Sequence, residues 1–242
     1  MGQIILYGAI SGLAVFAGAV AGVGLKVKQK VIAQMMAFAA GAMIYALSFG
    51  LVQTAFEHGG FSSVFIGTLA GAVIFVVGDY LVSRYGGRRH KRFHIDGKGD
   101  STGLVIVMGA ILDGIPEAIA LGVVLSAAPA SGTLVLLAIV LNNFPEGISS
   151  IVGLKKEGFD NKEIYSIWGI TAIAILIVAV LSYMFLSDLR PEHLGIIEAF
   201  AAGSVLAMLA DSLMPEAYKV GGYPIGLSTV LGFLAMFLVG KM

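Results

Sequence analysis

The 242 residues are 58% hydrophobic and only 12% charged, with 33 glycines and no cysteine. Soluble domains carry roughly 25% charged residues, so a water-exposed globule is excluded, and a soluble enzyme with it. The lack of cysteine removes disulfide-stapled folds and thiolate metal sites, and 15 Lys plus Arg balanced by 15 Asp plus Glu give no case for nucleic acid as a partner.

Polar punctuation divides the chain into eight apolar stretches, about 4–24, 31–52, 61–82, 102–126, 132–153, 164–186, 194–217 and 222–240. Each is long enough to cross a bilayer core. In lipid the backbone must satisfy its own hydrogen bonds, so the expected class is an all-α integral membrane protein with eight transmembrane helices. Residues 1–242 then form a single transmembrane domain embedded in the lipid bilayer. No basic residue precedes the first stretch, so it is expected to be a permanent span rather than a cleaved signal. Gly8/Gly12, Gly18/Gly22 and Gly67/Gly71 are GxxxG pairs that permit close helix packing. With 33 glycines such pairs arise readily by chance, and a homodimer is left open.

With eight spans, the connections after the first, third, fifth and seventh share one side of the membrane. They hold 13 of the 15 Lys plus Arg; Arg190 and Lys241 are the two on the other side. Basic residues favour the cytoplasmic face, which puts both termini on the non-cytoplasmic side of a cell membrane, plasma or inner. The hydrophilic segment at about 83–101 is then a cytoplasmic loop. Two readings of it stay open beside a solvated, topology-setting role: binding of anionic lipid headgroups, and loose metal binding through His90 and His94.

AFAAGAMIYAL at residues 37–47 in the second span returns as AFAAGSVLAML at 199–209 in the seventh, an offset of 162. Spans two and seven run in opposite directions, and inverted repeats of this kind mark transporters whose site lies between the halves.

Spans four and five occupy that place, and they carry Asp113, Glu117 and Glu146 with no Lys, Arg or His in either. Each buried charge costs about 2.5–3.5 kcal/mol on insertion scales, so the cluster needs a reason. Asp113 and Glu117 lie four residues apart on one helix face, and Asn142 and Glu146 repeat the spacing, with Asn143 alongside. In an antiparallel pair, Glu117 falls near the level of Asn142 and Asp113 near that of Glu146. Pro116 and Pro145 precede the two glutamates and free the carbonyls of Leu112 and Leu141. An oxygen-rich seam without a base is expected to take a cation. Protonated carboxylates joining the helices as neutral hydrogen bonds are the bland alternative. Asp79, Asp211, Glu216, Glu57, His58 and Glu198 sit nearer the span ends, where solvation at the interface is the expectation.

The two motifs, DGIPEA at 113–118 and NNFPEG at 142–147, resemble those of the ZIP (Zrt-, Irt-like) metal transporters, and ADSLMPEAY at the end of span seven resembles that family's ending. The resemblance covers essentially the whole chain. It implies an inverted repeat of spans 1–3 and 6–8 around central spans 4–5, both termini outside, and movement of a divalent transition metal toward the cytoplasm by alternating access. Asp113, Glu117, Asn142, Asn143 and Glu146 then stand as the metal ligands. The metal, with zinc as the family prior and iron, manganese or cadmium as alternatives, is substrate; no cofactor is implied. Asp113 replaces the family's histidine and Gly114 its asparagine, while span six lacks the family's further glutamate, so one metal is expected rather than two. An all-oxygen site suits manganese or ferrous iron at least as well as zinc.

Three other classes compete with this reading. A sodium/calcium-type exchanger would place its repeats around the acidic motifs, whereas here the repeat lies outside them. An intramembrane metallohydrolase needs a general base, often in HExxH, and no such motif occurs. A structural scaffold leaves the buried carboxylates without a purpose.

Overall fold

The computed structural model describes residues 1–86, 103–186 and 189–242, and among them every regular element is helical. Helix α1 spans Gly2–Gly24 and ends where Leu25 turns extended. Helix α2, Gln29–Leu47, runs into a π turn at Ser48–Val52 and on into α3, Gln53–Gly86. Helix α4 covers Gly103–Ala127 and α5 Pro129–Lys156, with Pro129 in the first turn, where its missing N–H costs nothing. Gly158, at φ 91°, stops α5. Helix α6, Asn161–Leu186, starts on a reciprocal cap: Glu163 N–H donates to Asp160 Oδ1 and Asp160 N–H to Glu163 Oε2, both at 2.8 Å. Helix α7, Pro191–Met208, passes through a second π turn at Leu209–Leu213 into α8, Met214–Gly221. Helix α9, Pro224–Val239, completes the chain.

Six helical stretches are long and apolar enough to cross a membrane, and α9 is a shorter apolar helix. One of the six runs from Gln29 to Val82, 54 residues, and includes the polar segment 53–60 that lay outside the expected spans. That segment stays helical as far as Gly59, its polar groups satisfied without leaving the helix. Thr54 Oγ1 donates back to the carbonyls of Gly50 and Leu51, and Gln53 Nε2 donates to Glu57 Oε1. The direction changes at Gly60, whose φ of 66° and ψ of −169° are open to glycine and costly for other residues. Gly222, at φ 69° and ψ −151°, makes the corresponding break between α8 and α9.

Close packing rests on glycine facing main chain. The carbonyl of Phe38 lies against Gly232 and that of Thr229 against Gly41, joining α2 to α9. The carbonyl of Phe200 lies against Gly71 and that of Thr68 against Gly203, joining α3 to α7. Phe38 and Phe200, Gly41 and Gly203, and the breaks at Gly60 and Gly222 each stand 162 residues apart. Helix α1 is held likewise: Gly12 meets the Ala172 carbonyl of α6, Gly18 the Phe144 carbonyl of α5, and Gly147 of α5 the Val15 carbonyl of α1. All three GxxxG pairs are therefore spent inside the chain. A side chain at these positions would drive its Cβ into a carbonyl oxygen, so small size is what the contacts require.

The helices differ sharply in cover. Of the most apolar stretch of α4 and of α5, 72% is buried by the rest of the chain, against 17% in α6. Exposed Ile170, Ile173, Ile177, Leu181 and Phe185 line the outer face of α6. The loop region with His90 and His94 lies outside the described residues.

Candidate functional site

Helices α4 and α5 are joined through Ala128 alone, so they return antiparallel on one another, with Gly132 of α5 seated against the Leu125 side chain of α4. Both continue through their internal prolines, Pro116 and Pro145. Proline has no N–H, so the Leu112 and Leu141 carbonyls lack their usual helical donor.

The five candidate ligands are all buried: Asp113, Glu117, Asn142, Asn143 and Glu146 are each 4% exposed or less. Glu117 and Asn142 meet as the antiparallel register predicts, with Asn142 Nδ2 donating to Glu117 Oε1 at 2.7 Å. Because a carboxylate only accepts, this bond fixes the Asn142 amide and turns its Oδ1 the other way. That oxygen is buried and has no hydrogen-bond partner. A buried amide oxygen left in this state costs about 1–3 kcal/mol, which a bound cation or water would recover.

Asn143 is anchored differently. Its Nδ2 donates to both the main-chain carbonyl and the Oγ of Ser11 in α1, each at 3.2 Å. A carbonyl oxygen likewise only accepts, so the Asn143 amide is oriented with its nitrogen toward α1. Ser11 is fully buried and was not singled out from the sequence. Its signal was the small-residue run with Gly8 and Gly12, which reads as packing until Asn143 is placed against it. Ser149 and Ser150, one turn beyond Glu146, satisfy themselves on the carbonyls of Glu146 and Gly147 and add no donor to the seam.

The three carboxylates are not drawn into one cluster: among the described residues no group of three or more His, Asp or Glu side chains is arranged to hold a metal ion. Within the seam Glu117 and Asn142 are in direct contact. No Lys, Arg or His occurs between residues 102 and 154, so the only bases of these two helices, Lys155 and Lys156, stand in the last turn of α5, more than two turns beyond Glu146.

Outside the seam, two residues expected to be solvated are buried. Glu198 in α7 is fully enclosed, and its Oε2 lies 2.8 Å from His58 Nδ1 in α3. Glu216 in α8 is 5% exposed. Gly195 of α7 seats against the Ala55 carbonyl and the Gly59 nitrogen of α3, so the two helices approach closely one turn from Glu198. Asp211 falls within the second π turn.

Long apolar helices stacked around an acidic, base-free seam define a multi-pass helical membrane protein. Within that class, the chain is 33% identical over 187 residues, 75% of its length, to an Arabidopsis thaliana protein named "Putative zinc transporter". It spans only 29% of that larger relative. Known protein-family models match none of it.

Proposed function

We propose that the chain is a divalent-metal transporter of the ZIP type. It moves the ion toward the cytoplasm by alternating access through the α4/α5 seam. The observation that carries this reading is the unpartnered, buried Asn142 Oδ1 beside the Glu117 carboxylate, in a seam that holds three acids and no base between residues 102 and 154. A cation neutralises that arrangement and a neutral substrate does not. Zinc is the first candidate, supported by the name of the relative; manganese, ferrous iron and cadmium fit an oxygen-rich donor set as well.

Asp113, Glu117, Asn142, Asn143 and Glu146 are the residues assigned to the ion. In the conformation at hand Asn142 and Glu117 are in contact, so ion entry replaces their mutual bond with bonds to the metal. The membrane topology belongs to the same reading: eight crossings, with turns at Gly60 and Gly222, and both termini on the non-cytoplasmic side of the cell membrane. The shared spacing of 162 residues between those glycines and between Phe38 and Phe200, with the two π turns 161 residues apart, supports two inverted halves around α4 and α5.

The test is thermal unfolding of the purified protein with zinc, cadmium, manganese, ferrous iron, magnesium and calcium, beside a Glu117→Gln/Glu146→Gln variant. A ligand bound only by the folded state raises stability by about 2.7 kcal/mol at a hundredfold excess over its Kd. Stabilisation by one or two transition metals, lost in the variant, is the expected result. No response to any ion overturns the metal assignment.

A further inference from the structure

A cleft of about 500 Å3 opens between α2, α5 and α9, a volume within the range of small-molecule pockets. Met35, Phe38, Leu141, Phe144 and Leu231 line it, and Gln34 and Ser228 are its polar positions. Val31, Leu141 and Leu231 are 46%, 37% and 50% exposed, so the cleft opens sideways from the helix bundle. Its inner wall includes Pro145, the residue before Glu146.

One end of this apolar cleft is strongly basic. Lys30 stands four and eight residues before Gln34 and Phe38 and so shares their helix face. Helical side chains lean toward the N-terminus, which carries its ammonium past the end of the cleft. Lys28 caps α2 and Lys26 precedes it, and all three lysines are exposed. A smaller cleft of about 200 Å3 between α3, α4 and α7 has matching walls, with Phe200, Leu112 and Pro116 where the first has Phe38, Leu141 and Pro145. There the positions corresponding to Lys28 and Lys30 are Arg190 and Glu192, whose charges cancel. The two clefts share these corresponding wall residues; the lysines stand at the N-terminal end of α2, which borders the larger.

We propose that the larger cleft binds an anionic phospholipid, one acyl chain lying along Phe38 and Leu141 against Pro145 and the phosphate held by Lys28 and Lys30. The inference rests on the membrane-spanning reading but not on metal transport. A lysine ammonium is a strong point-charge partner for phosphate, and a sideways apolar opening excludes a water-borne anion as the whole ligand. Bound there, the lipid contacts α5 at the residue preceding a metal-site glutamate.

Phosphatidylglycerol is the probe. The full chain is reconstituted without metal into bilayers of phosphatidylcholine alone or with phosphatidylglycerol, extracted gently, and its retained lipid read by native mass spectrometry, with unfolding temperature as a second readout. The expected result is selective retention of phosphatidylglycerol and a higher unfolding temperature. Both are lost in Lys28→Gln/Lys30→Gln and in Ser228→Phe, which fills the cleft, and both are kept in the Lys155→Gln/Lys156→Gln control. Equal retention of the two lipids, retention that survives in either test variant, or loss in the control as well would overturn the proposal. Because no metal is present, the outcome is independent of whether the chain transports one.

Discussion

Helices α5 and α6 follow one another in the chain and face opposite surroundings. Helix α6 is free of charge from Tyr165 to Leu186, yet only 17% of its most apolar stretch is buried; α5 carries Asn142, Asn143 and Glu146, and 72% of its stretch is enclosed. In water the more apolar helix would be the inner one. Inside a bilayer the order reverses, because lipid accepts leucine and isoleucine as readily as protein does, while polar groups must find partners within the bundle. The difference separates a helix suited to face lipid from one that holds buried polar groups.

The sharpest way to break this contrast is to remove one acid from the seam. Glu117→Ala or Glu146→Ala is expected to reduce metal uptake into proteoliposomes to background while the protein stays monodisperse in detergent. Ile173→Ala and Ile177→Ala, on the exposed face of α6, are expected to leave uptake unchanged. Uptake at ordinary rates by both seam variants would end the assignment.

Packing gives the next largest effect. Gly18→Leu pushes a side chain into the Phe144 carbonyl where α1 meets α5, and is expected to lower stability by about 1–3 kcal/mol or more. Gly226→Ala meets nothing within 4 Å and should change stability by no more than about 0.5 kcal/mol. Thermal unfolding in one detergent compares the two directly.

The smallest effects sharpen the contrast within α1. Ser11→Ala leaves Asn143 its bond to the Ser11 carbonyl but removes the one to Oγ, so a loss of about 1 kcal/mol and a modest weakening of metal-induced stabilisation are expected. Tyr7→Phe removes the exposed hydrogen bond to Thr133 at 2.8 Å and should affect stability less than Ser11→Ala and metal response not at all. Equal metal responses from the two variants would deny Ser11 a part in positioning Asn143.

Much of this arrangement was legible in the sequence because the bilayer is a severe solvent. Apolar length marks the helices, and Asp113, Glu117 and Glu146 stand out because so few acids belong among such neighbours. The pairing of Glu117 with Asn142 followed from antiparallel register and the short connection between α4 and α5. Helix ends were less legible. Residues 53–60 read as a polar gap; hydrogen bonds from Thr54 and Gln53 carry the helix on to Gly59, and the break falls at Gly60. Partners distant in the chain were invisible: nothing local to Ser11 points to Asn143, and nothing local to His58 points to Glu198, 140 residues away. Such pairs exist only once the helices are packed.

The glycine contacts also divide the molecule by stiffness. Where a carbonyl rests on a glycine, sliding by one residue brings a Cβ into the oxygen, so the joint resists shear. Joints of this kind bind α1 to α5 and α6, and through Gly122 at the Ala179 carbonyl they bind α4 to α6. They also pair α2 with α9 and α3 with α7. Across the boundary between these groups Gly50 meets the Val135 side chain and Gly78 the Leu112 side chain. Side chains change rotamer and carbonyls do not. The four helices α1, α4, α5 and α6, which hold the acidic seam and its Ser11 partner, are thus tied to one another through main chain at Gly12, Gly18, Gly122 and Gly147.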